Sequence, residues 1–291
     1  MTRGRPTGPR RRAVGAPAPG PLAAGLGALT AAAAVTLAVP TAAPATAAPA
    51  TAAPAAVPAG ERAADRPADV LDLDDWKITL PIGEDGEDGE DDRPLEIFQP
   101  ELADYAHASY FRVSDDGDAV RFRAPVNGVT TSGSSYPRAE LREMEPGGED
   151  ETEWSATSGT HTMTVREAFT HLPAERPYLV GAQIHGGDDD VTVVRLEGTE
   201  LWITEGDTRH HHLITDDYEL GTVFEVTYVV ADGEIEVYYN GELETTLEHT
   251  DPTNYFKAGA YTQANCDNSA PCDEDNYGEV EIHELTITHE E

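Results

Sequence analysis

The sequence has little positive charge and almost no cysteine. Its 291 residues include 19 Lys and Arg against 55 Asp and Glu, a formal net charge of −36. Nucleic-acid phosphates and anionic lipid headgroups bind basic surfaces, so this charge excludes both classes of partner. Two cysteines without a CxxC pair are too few for a disulfide-framework mini-protein or a thiolate zinc site. The sequence also lacks a P-loop, a dinucleotide fingerprint and a nucleophile elbow.

The first sixty residues differ in composition from the rest of the chain. They contain five arginines and no acidic residue, with an apolar stretch at 22–39 and small-residue sites such as Ala45-Thr46-Ala47. This order predicts a secretory signal peptide over residues 1–48 and an Ala/Pro-rich disordered linker over 49–68. A transmembrane anchor is the weaker alternative, because the stretch is only mildly hydrophobic. We therefore expect a secreted, extracellular protein that has no membrane attachment after signal cleavage.

The chain beyond residue 60 is strongly acidic. It keeps all 55 acidic residues but only 14 basic ones, a formal net charge of −41, and its two lysines are Lys77 and Lys257. Dense carboxylates keep a protein soluble and salt screens their repulsion, so this composition predicts adaptation to high salt. The acidic run at 83–92 predicts a solvated loop, with a calcium site as the alternative, although its spacing fits no EF-hand.

Alternating hydrophobicity predicts an all-β domain over residues 69–291. The clearest stretch is 222–249, where apolar residues alternate with polar ones on either side of Asp232-Gly233 and Asn240-Gly241. Such dipeptides between alternating runs are strong hairpin signals. Similar runs lie at 119–124, 160–169, 191–196, 199–204 and 280–288, and none shows a sustained helical period. Many short strands at this spacing are typical of a β-sandwich or barrel.

Three of the predicted strands carry unusual polar side chains on one face. Side chains at alternate positions of a strand share a face. The first strand contributes Arg138, Glu140 and Arg142, the second Gln183 and His185, and the third Lys257, Tyr261 and Gln263. Alone, each pattern is typical of a surface ion-pair row, an incidental polar face or a lysine-guarded edge strand. Together they combine scarce positive charge with histidine, tyrosine and amides, which predicts a groove for an anionic polymer.

These segments also resemble a known family. SSYPRAELRE at 134–143, QIH at 183–185 and YFKAGAYTQ at 255–263 closely resemble, in this order, the signature segments of alginate lyases of polysaccharide lyase family 7. The resemblance covers about residues 69–289. It implies a β-jelly roll sandwich of two antiparallel sheets with a concave substrate cleft, and endolytic β-elimination of alginate. We further expect a monomer without a metal or organic cofactor.

The resemblance also assigns roles to the eight residues. It implies that the catalytic residues are Arg138, Gln183, His185 and Tyr261, and that Glu140, Arg142, Lys257 and Gln263 bind the substrate. In guluronate His185 would take the C5 proton and Tyr261 would protonate the leaving oxygen, whereas in mannuronate Tyr261 could do both. A tyrosine acting as base needs nearby cations to stabilise its phenolate. The isoleucine of QIH implies a lean toward guluronate-containing linkages.

Other features leave alternatives open. In an exported chain, the spacing of Cys266 and Cys272 predicts a disulfide, with two free thiols as the alternative. The histidines at 210–212 predict a loop rather than a metal site, because adjacent strand side chains point to opposite faces. A non-catalytic uronan-binding jelly roll and a lyase for another polyuronate, such as glucuronan, remain alternative functions. Among 55 acids a pair suited to glycoside hydrolysis is also possible, although no motif singles one out.

Overall fold

The computed structural model of the chain describes residues 64–84, 93–187 and 189–291. The predicted signal peptide, most of the predicted linker and the acidic run at 85–92 lie outside the described residues. The described part forms fifteen β-strands and two single-turn 3₁₀ helices, Pro67–Asp69 and Leu102–Asp104. No helix within these ranges is long and apolar enough to cross a membrane.

The strands are numbered here in chain order. They are β1 Trp76–Gly83, β2 Pro94–Ile97, β3 Phe111–Val113, β4 Val120–Pro125, β5 Arg138–Glu143, β6 Thr160–His171, β7 Tyr178–Gly186, β8 Asp189–Glu197, β9 Glu200–Glu205, β10 Thr208–Thr215, β11 Phe224–Ala231, β12 Glu234–Tyr239, β13 Glu242–Glu248, β14 Asn254–Thr262 and β15 Tyr277–Glu290.

Two antiparallel sheets face each other. The eight-stranded sheet has the order β10-β9-β8-β7-β14-β5-β1-β2, and the seven-stranded sheet has the order β13-β12-β11-β6-β15-β4-β3. Strands far apart in sequence, such as β5 and β14 or β6 and β15, are neighbours in these sheets, as in jelly rolls. The predicted all-β jelly-roll sandwich is confirmed.

The core lies between the sheets and follows the alternation of the sequence. On β11 the residues Phe224, Val226, Tyr228 and Val230 are buried, while the residues between them are partly exposed. β11 and β12 turn at Asp232, where φ is +52°, and β12 and β13 turn at Asn240, where φ is +49°. Two positive φ values in each turn, with glycine second, match the predicted two-residue hairpins.

Two details differ from the sequence prediction. The folded part reaches back into the predicted linker, because Pro67 is buried and Arg66 forms an ion pair with Asp104. The histidines predicted to form a loop instead lie in β10, at the edge of the eight-stranded sheet. An edge strand can carry polar side chains on both faces. Each ring there is paired with a glutamate, in the pairs His210–Glu197, His211–Glu205 and His212–Glu244.

The two cysteines are joined as predicted. Cys266 and Cys272 form a disulfide in the segment that follows β14, the strand that carries Lys257 and Tyr261. The bridge closes a short loop in the connection between β14 and β15.

Candidate active site

The eight-stranded sheet brings the three polar strand faces together. β14 lies between β7 and β5, so the three predicted segments are direct neighbours. In this register Tyr261 lies opposite Arg138, and Lys257 lies opposite both Arg142 and Gln183. A groove of about 420 Å³ lies over this face of the sheet. Six of the eight predicted residues line it: Arg138, Arg142, Gln183, His185, Lys257 and Tyr261.

Glu140 lies beneath the groove and does not line it. Its side chain is only 1% exposed. Oε2 accepts a hydrogen bond from Nη1 of Arg138 at 3.0 Å and lies 2.5 Å from Nζ of Lys257, while Oε1 accepts from Nε2 of Gln183. Burial acts to raise the pKa of this carboxyl, but Lys257 and Arg138 outweigh it and lower the pKa below its usual value. Glu140 therefore orients three groups that face the groove, and its expected contact with the substrate stays a prediction.

Arg142 does not pair with Glu140, although the two residues share a face of β5. Its Nη1 donates to the backbone oxygen of Glu143 at 2.7 Å, and its Nη2 lies 3.4 Å from Oε2 of Glu151. Glu140 forms its second ion pair with Lys257, which lies on the neighbouring strand β14. The guanidinium of Arg142 instead lies 4.0 Å from the ring centroid of Tyr255, a cation–π contact.

His185 has the properties of a proton acceptor. Its ring stacks on Tyr255 with centroids 5.0 Å apart. Its Nδ1 atom is buried and has no hydrogen-bond partner in the described part of the chain. Burial, followed by the positive charges of Lys257 and Arg138, lowers the pKa of His185 to about 4, against the opposing effect of Glu140. The imidazole is therefore neutral near pH 7 and has a ring nitrogen with a lone pair for a proton, although the lowered pKa makes it a weaker base than a free histidine.

Tyr261 lies against a cation and a hydroxyl. The guanidinium carbon of Arg138 is 3.9 Å from the centroid of the Tyr261 ring. The phenol oxygen is 2.8 Å from Oγ of Ser134. A phenol that opens onto a groove can give a proton to a leaving group.

Lys257 has a largely buried ammonium group close to another cation, Arg138. Its side chain is 9% exposed. Burial and the neighbouring charge of Arg138 lower the pKa of Lys257 to about 8, although Glu140 partly opposes this. The ammonium is charged at neutral pH. It is paired with Glu140 and also lines the groove, where it can attract a carboxylate.

Gln263 lies outside the main groove. It lines an adjacent cavity of about 130 Å³, where its Oε1 accepts a hydrogen bond from Nη1 of Arg195 at 2.9 Å. Tyr261 and Asp190 line both spaces, so the groove continues past Tyr261 into this cavity. Gln263 therefore lies in a continuation of the groove, and its binding of substrate stays a prediction.

The structure adds residues that sequence reasoning missed. Lys77 and Thr79 of β1, Tyr255 of β14 and Ser134 of the loop before β5 all line the groove. Tyr255 shares the alternating face of Lys257 and could have been found from that spacing. Lys77 shows only as one of two lysines in an acidic chain, and no periodic signal marks Ser134.

Charge in the groove is balanced, in contrast to the chain as a whole. Four of the 14 basic residues beyond residue 60 line it, together with four acidic ones. Lys77 pairs with Glu96 at 3.0 Å and with Glu151 at 2.9 Å. A polyanion would therefore meet far less repulsion here than elsewhere on the protein.

A groove on a jelly-roll sheet, with a histidine and a tyrosine set among cationic and amide side chains, is the arrangement expected of a polysaccharide lyase. The family model described as alginate lyase matches residues 71–289. The chain belongs to this alginate lyase family, as its signature segments predicted.

Solved structures agree with this assignment. An alginate lyase from Corynebacterium sp. is 61% identical, with a TM-score of 0.75 over 78% of this chain and 100% of that chain. AlgAT5, an alginate lyase from polysaccharide lyase family 7, is 50% identical, with a TM-score of 0.71 over 78% of this chain and 99% of that chain.

A curated relative matches a shorter stretch. An alginate lyase of Klebsiella pneumoniae is 38% identical over 90 residues, which are 31% of this chain and 26% of that protein. The match therefore spans about a quarter of that relative's length.

Proposed function

We propose that this chain cleaves alginate within the polymer by β-elimination, leaves an unsaturated sugar at the new end, and prefers guluronate-containing linkages. The observation that carries the proposal is that His185 and Tyr261 line one groove together with Arg138 and Gln183. A neutral base, a proton donor and groups that bind a carboxylate are what elimination next to a uronate carboxylate requires.

The reaction begins with the carboxylate of the sugar that is cleaved. Arg138 and the free N–H of Gln183 bind it, since Glu140 holds both side chains from below. Their hydrogen bonds withdraw charge, make the C5 proton more acidic and stabilise the enolate-like intermediate in which charge develops. Lys257, also held by Glu140, adds positive charge to the same area.

Proton transfer then completes the cleavage. In guluronate the neutral ring of His185 takes the C5 proton, the electron pair forms the C4–C5 double bond, and the C4–O bond breaks. Tyr261 gives its proton to the departing oxygen. In mannuronate the proton and the leaving oxygen lie on one face, and Tyr261 takes the proton and then returns it to that oxygen. Tyr261 must therefore be a phenolate before it takes the proton and again after it returns it, and Arg138, 3.9 Å from the ring, stabilises that phenolate.

The endolytic mode is supported by the extent of the groove. It continues past Tyr261 into the cavity of Gln263 and Arg195, so sugars are accommodated on both sides of the reacting linkage. The lean toward guluronate rests on Ile184 of QIH, which is fully buried. Ile184 acts only through the placement of Gln183 and His185.

Secretion, salt adaptation and a monomeric state belong to the same proposal. Residues 1–48 support export, and a disulfide between Cys266 and Cys272 suits an oxidising compartment. The charge of −41 beyond residue 60 supports a saline habitat. A second candidate, a lyase for another polyuronate such as glucuronan, is favoured by the fact that the groups facing the groove recognise carboxylates in general.

Viscometry combined with ultraviolet absorbance tests the proposal. Purified protein is mixed separately with polyguluronate, polymannuronate and glucuronan, and the double bonds formed are compared with the loss of viscosity. We expect the fastest absorbance rise with polyguluronate and an early fall in viscosity. A rise with glucuronan alone would favour the second candidate, and a slow viscosity fall at high absorbance would contradict the endolytic mode. Retained binding without any double bond would indicate the non-catalytic module.

A further inference from the structure

Ser134 lies at the oxygen atom of the catalytic tyrosine. It belongs to the loop that leads into β5, where its backbone N–H donates to the carbonyl of Thr131 at 3.0 Å. Its Oγ lies 2.8 Å from the phenol oxygen of Tyr261. In the described part of the chain, Ser134 is the one hydrogen-bond partner of that oxygen.

The other contacts of Ser134 are compatible with its donating a hydrogen bond to Tyr261. Oγ accepts a hydrogen bond from the backbone N–H of Tyr136 at 3.0 Å, which uses one of its lone pairs. The serine proton then has two acceptors within reach, the carbonyl of Tyr136 at 3.4 Å and the phenol oxygen of Tyr261 at 2.8 Å. Either hydroxyl can donate across the 2.8 Å contact, but Ser134 must be the donor whenever Tyr261 directs its own proton to a leaving oxygen.

This direction of donation fixes where the tyrosine proton points. Because the serine proton occupies the line between the two oxygens, the proton of Tyr261 cannot lie there. It turns away from Ser134, to the side where the groove holds the leaving oxygen. When Tyr261 is a phenolate, the same serine proton stabilises the negative oxygen, since hydrogen bonds to a charged acceptor are stronger.

We propose that Ser134 is a positioning residue for the elimination, which aims the proton of Tyr261 into the groove and stabilises its phenolate. The inference rests on the proposed function, since it concerns the reaction of Tyr261. Ser134 acts through Tyr261 and need not touch the sugar.

Other charged or titratable groups near Tyr261 also influence its proton, but they are the same in wild type and in the Ser134 variants. Those that line the groove or the adjacent cavity are Arg138, His185, Asp189, Asp190, Arg195, Asp207, Arg209 and Lys257. Of these, Arg138 is in contact with the ring of Tyr261. A shift in pH dependence caused by Ser134 variants alone therefore reports the serine hydroxyl.

The test compares Ser134→Thr with Ser134→Val, which have the same shape and differ in the hydroxyl. The kcat for polyguluronate is measured against pH at saturating substrate, beside Ser134→Ala. Ser135→Ala is the control, since the Ser135 side chain is exposed. The hydrogen bond that Ser135 accepts from Asn265 uses its backbone carbonyl and not its hydroxyl. Melting temperatures of all variants show that they are folded.

We expect Ser134→Val and Ser134→Ala to lower kcat about tenfold with KM unchanged, as for the loss of one hydrogen bond to a charged group. The alkaline limb of their kcat profile should move to higher pH, because the phenolate loses its donor. Ser134→Thr and Ser135→Ala should keep the wild-type profile. A Val variant that equals the Thr variant, or a loss that is uniform at every pH, would overturn the inference.

The proposed function is checked in the same series by Tyr261→Phe. An inactive Tyr261→Phe with a wild-type-like Ser134→Val would reject only the role of Ser134. An active Tyr261→Phe would reject the proposed mechanism itself.

Discussion

The carboxylate of Glu140 and the ammonium of Lys257 lie 2.5 Å apart beneath the groove, on neighbouring strands of one sheet. The pair is almost completely buried, and the same carboxylate also holds Arg138 and Gln183. Removing one partner of a buried pair leaves the other charge uncompensated, which costs more than the pair contributes. Three side chains that line the groove thus depend on a buried carboxylate that does not line it.

Glu140→Gln should damage both stability and catalysis. We expect unfolding to become easier by about 3 kcal/mol, because two cations lose their buried counter-charge. The kcat should fall about 100-fold, because Arg138 and Gln183 are no longer held in position. Chemical denaturation and steady-state kinetics check this. The control is Glu151→Gln, whose side chain is 57% exposed and whose ion pairs should contribute less than about 1 kcal/mol. Equal effects of the two variants would contradict the account.

Alginate binding should weaken above about pH 8. Burial and Arg138 lower the pKa of Lys257 to about 8, so the ammonium is charged below that pH and neutral above it. Because the groove then loses a positive charge, KM for alginate should rise with pH through this range. In Lys257→Gln, KM should be high already at pH 7 and should lack this rise. An identical pH dependence of KM in the two proteins would show that another group titrates.

His161 should make the stability of the protein depend on pH. It lies in β6 and is connected through His289 to the buried Glu143 of β5. Its Nδ1 lies 2.7 Å from Nδ1 of His289, and Nε2 of His289 lies 2.7 Å from the buried carboxylate of Glu143. Burial lowers the pKa of His161, with a further lowering from His289. A histidine whose pKa is lowered on folding gives stability that is present above its unfolded pKa, near 6.5, and is lost as the pH falls.

His161→Phe isolates this effect, since a phenyl ring can keep the stacking on Trp154, whose centroid lies 4.4 Å away. The Tm of wild type minus that of the variant should shrink as the pH is lowered from about 7 to 5. A difference in Tm that stays constant over this range would count against a titrating His161.

Salt should stabilise the protein and speed its encounter with alginate. With 55 acidic residues against 14 basic ones beyond residue 60, both self-repulsion and repulsion of a polyanion are screened by ions. We expect Tm and, at low salt, kcat/KM to rise with added NaCl. Sucrose at equal osmolality serves as the uncharged control for the Tm measurement. If kcat/KM falls steadily with NaCl from the lowest concentration, local attraction by the groove dominates instead.

The parts of the fold that sequence predicted are those governed by local rules. Alternation along β11 and the Asp232-Gly233 and Asn240-Gly241 dipeptides specify strands and turns without reference to distant residues. Spacing by two likewise indicated that Lys257 and Tyr261 share a face. The prediction of a loop for the histidines of β10 was wrong. The glutamates that pair with them come from three other strands, and local sequence does not show such distant partners.

Local spacing does not show how deeply a side chain is buried or which residues lie opposite each other on neighbouring strands. Glu140 shares the face of Arg138, but its burial follows from Lys257 and Gln183, which are brought in by β14 and β7. Lys77 enters the groove because β1 pairs with β5 so that Lys77 lies opposite Arg142. Ser134 lies in a loop, where no periodicity marks a functional side chain.

The role of Tyr261 in proton transfer is tested by comparing Tyr261→Phe with Tyr238→Phe. Tyr238 lies in β12 of the other sheet, and its hydroxyl donates to Glu236 at 2.6 Å. Formation of unsaturated ends is followed by ultraviolet absorbance with polyguluronate and polymannuronate, and binding by calorimetry. This role predicts that Tyr261→Phe loses about 1,000-fold in kcat with both polymers while still binding them, and that Tyr238→Phe equals wild type. Wild-type kcat in Tyr261→Phe would contradict it.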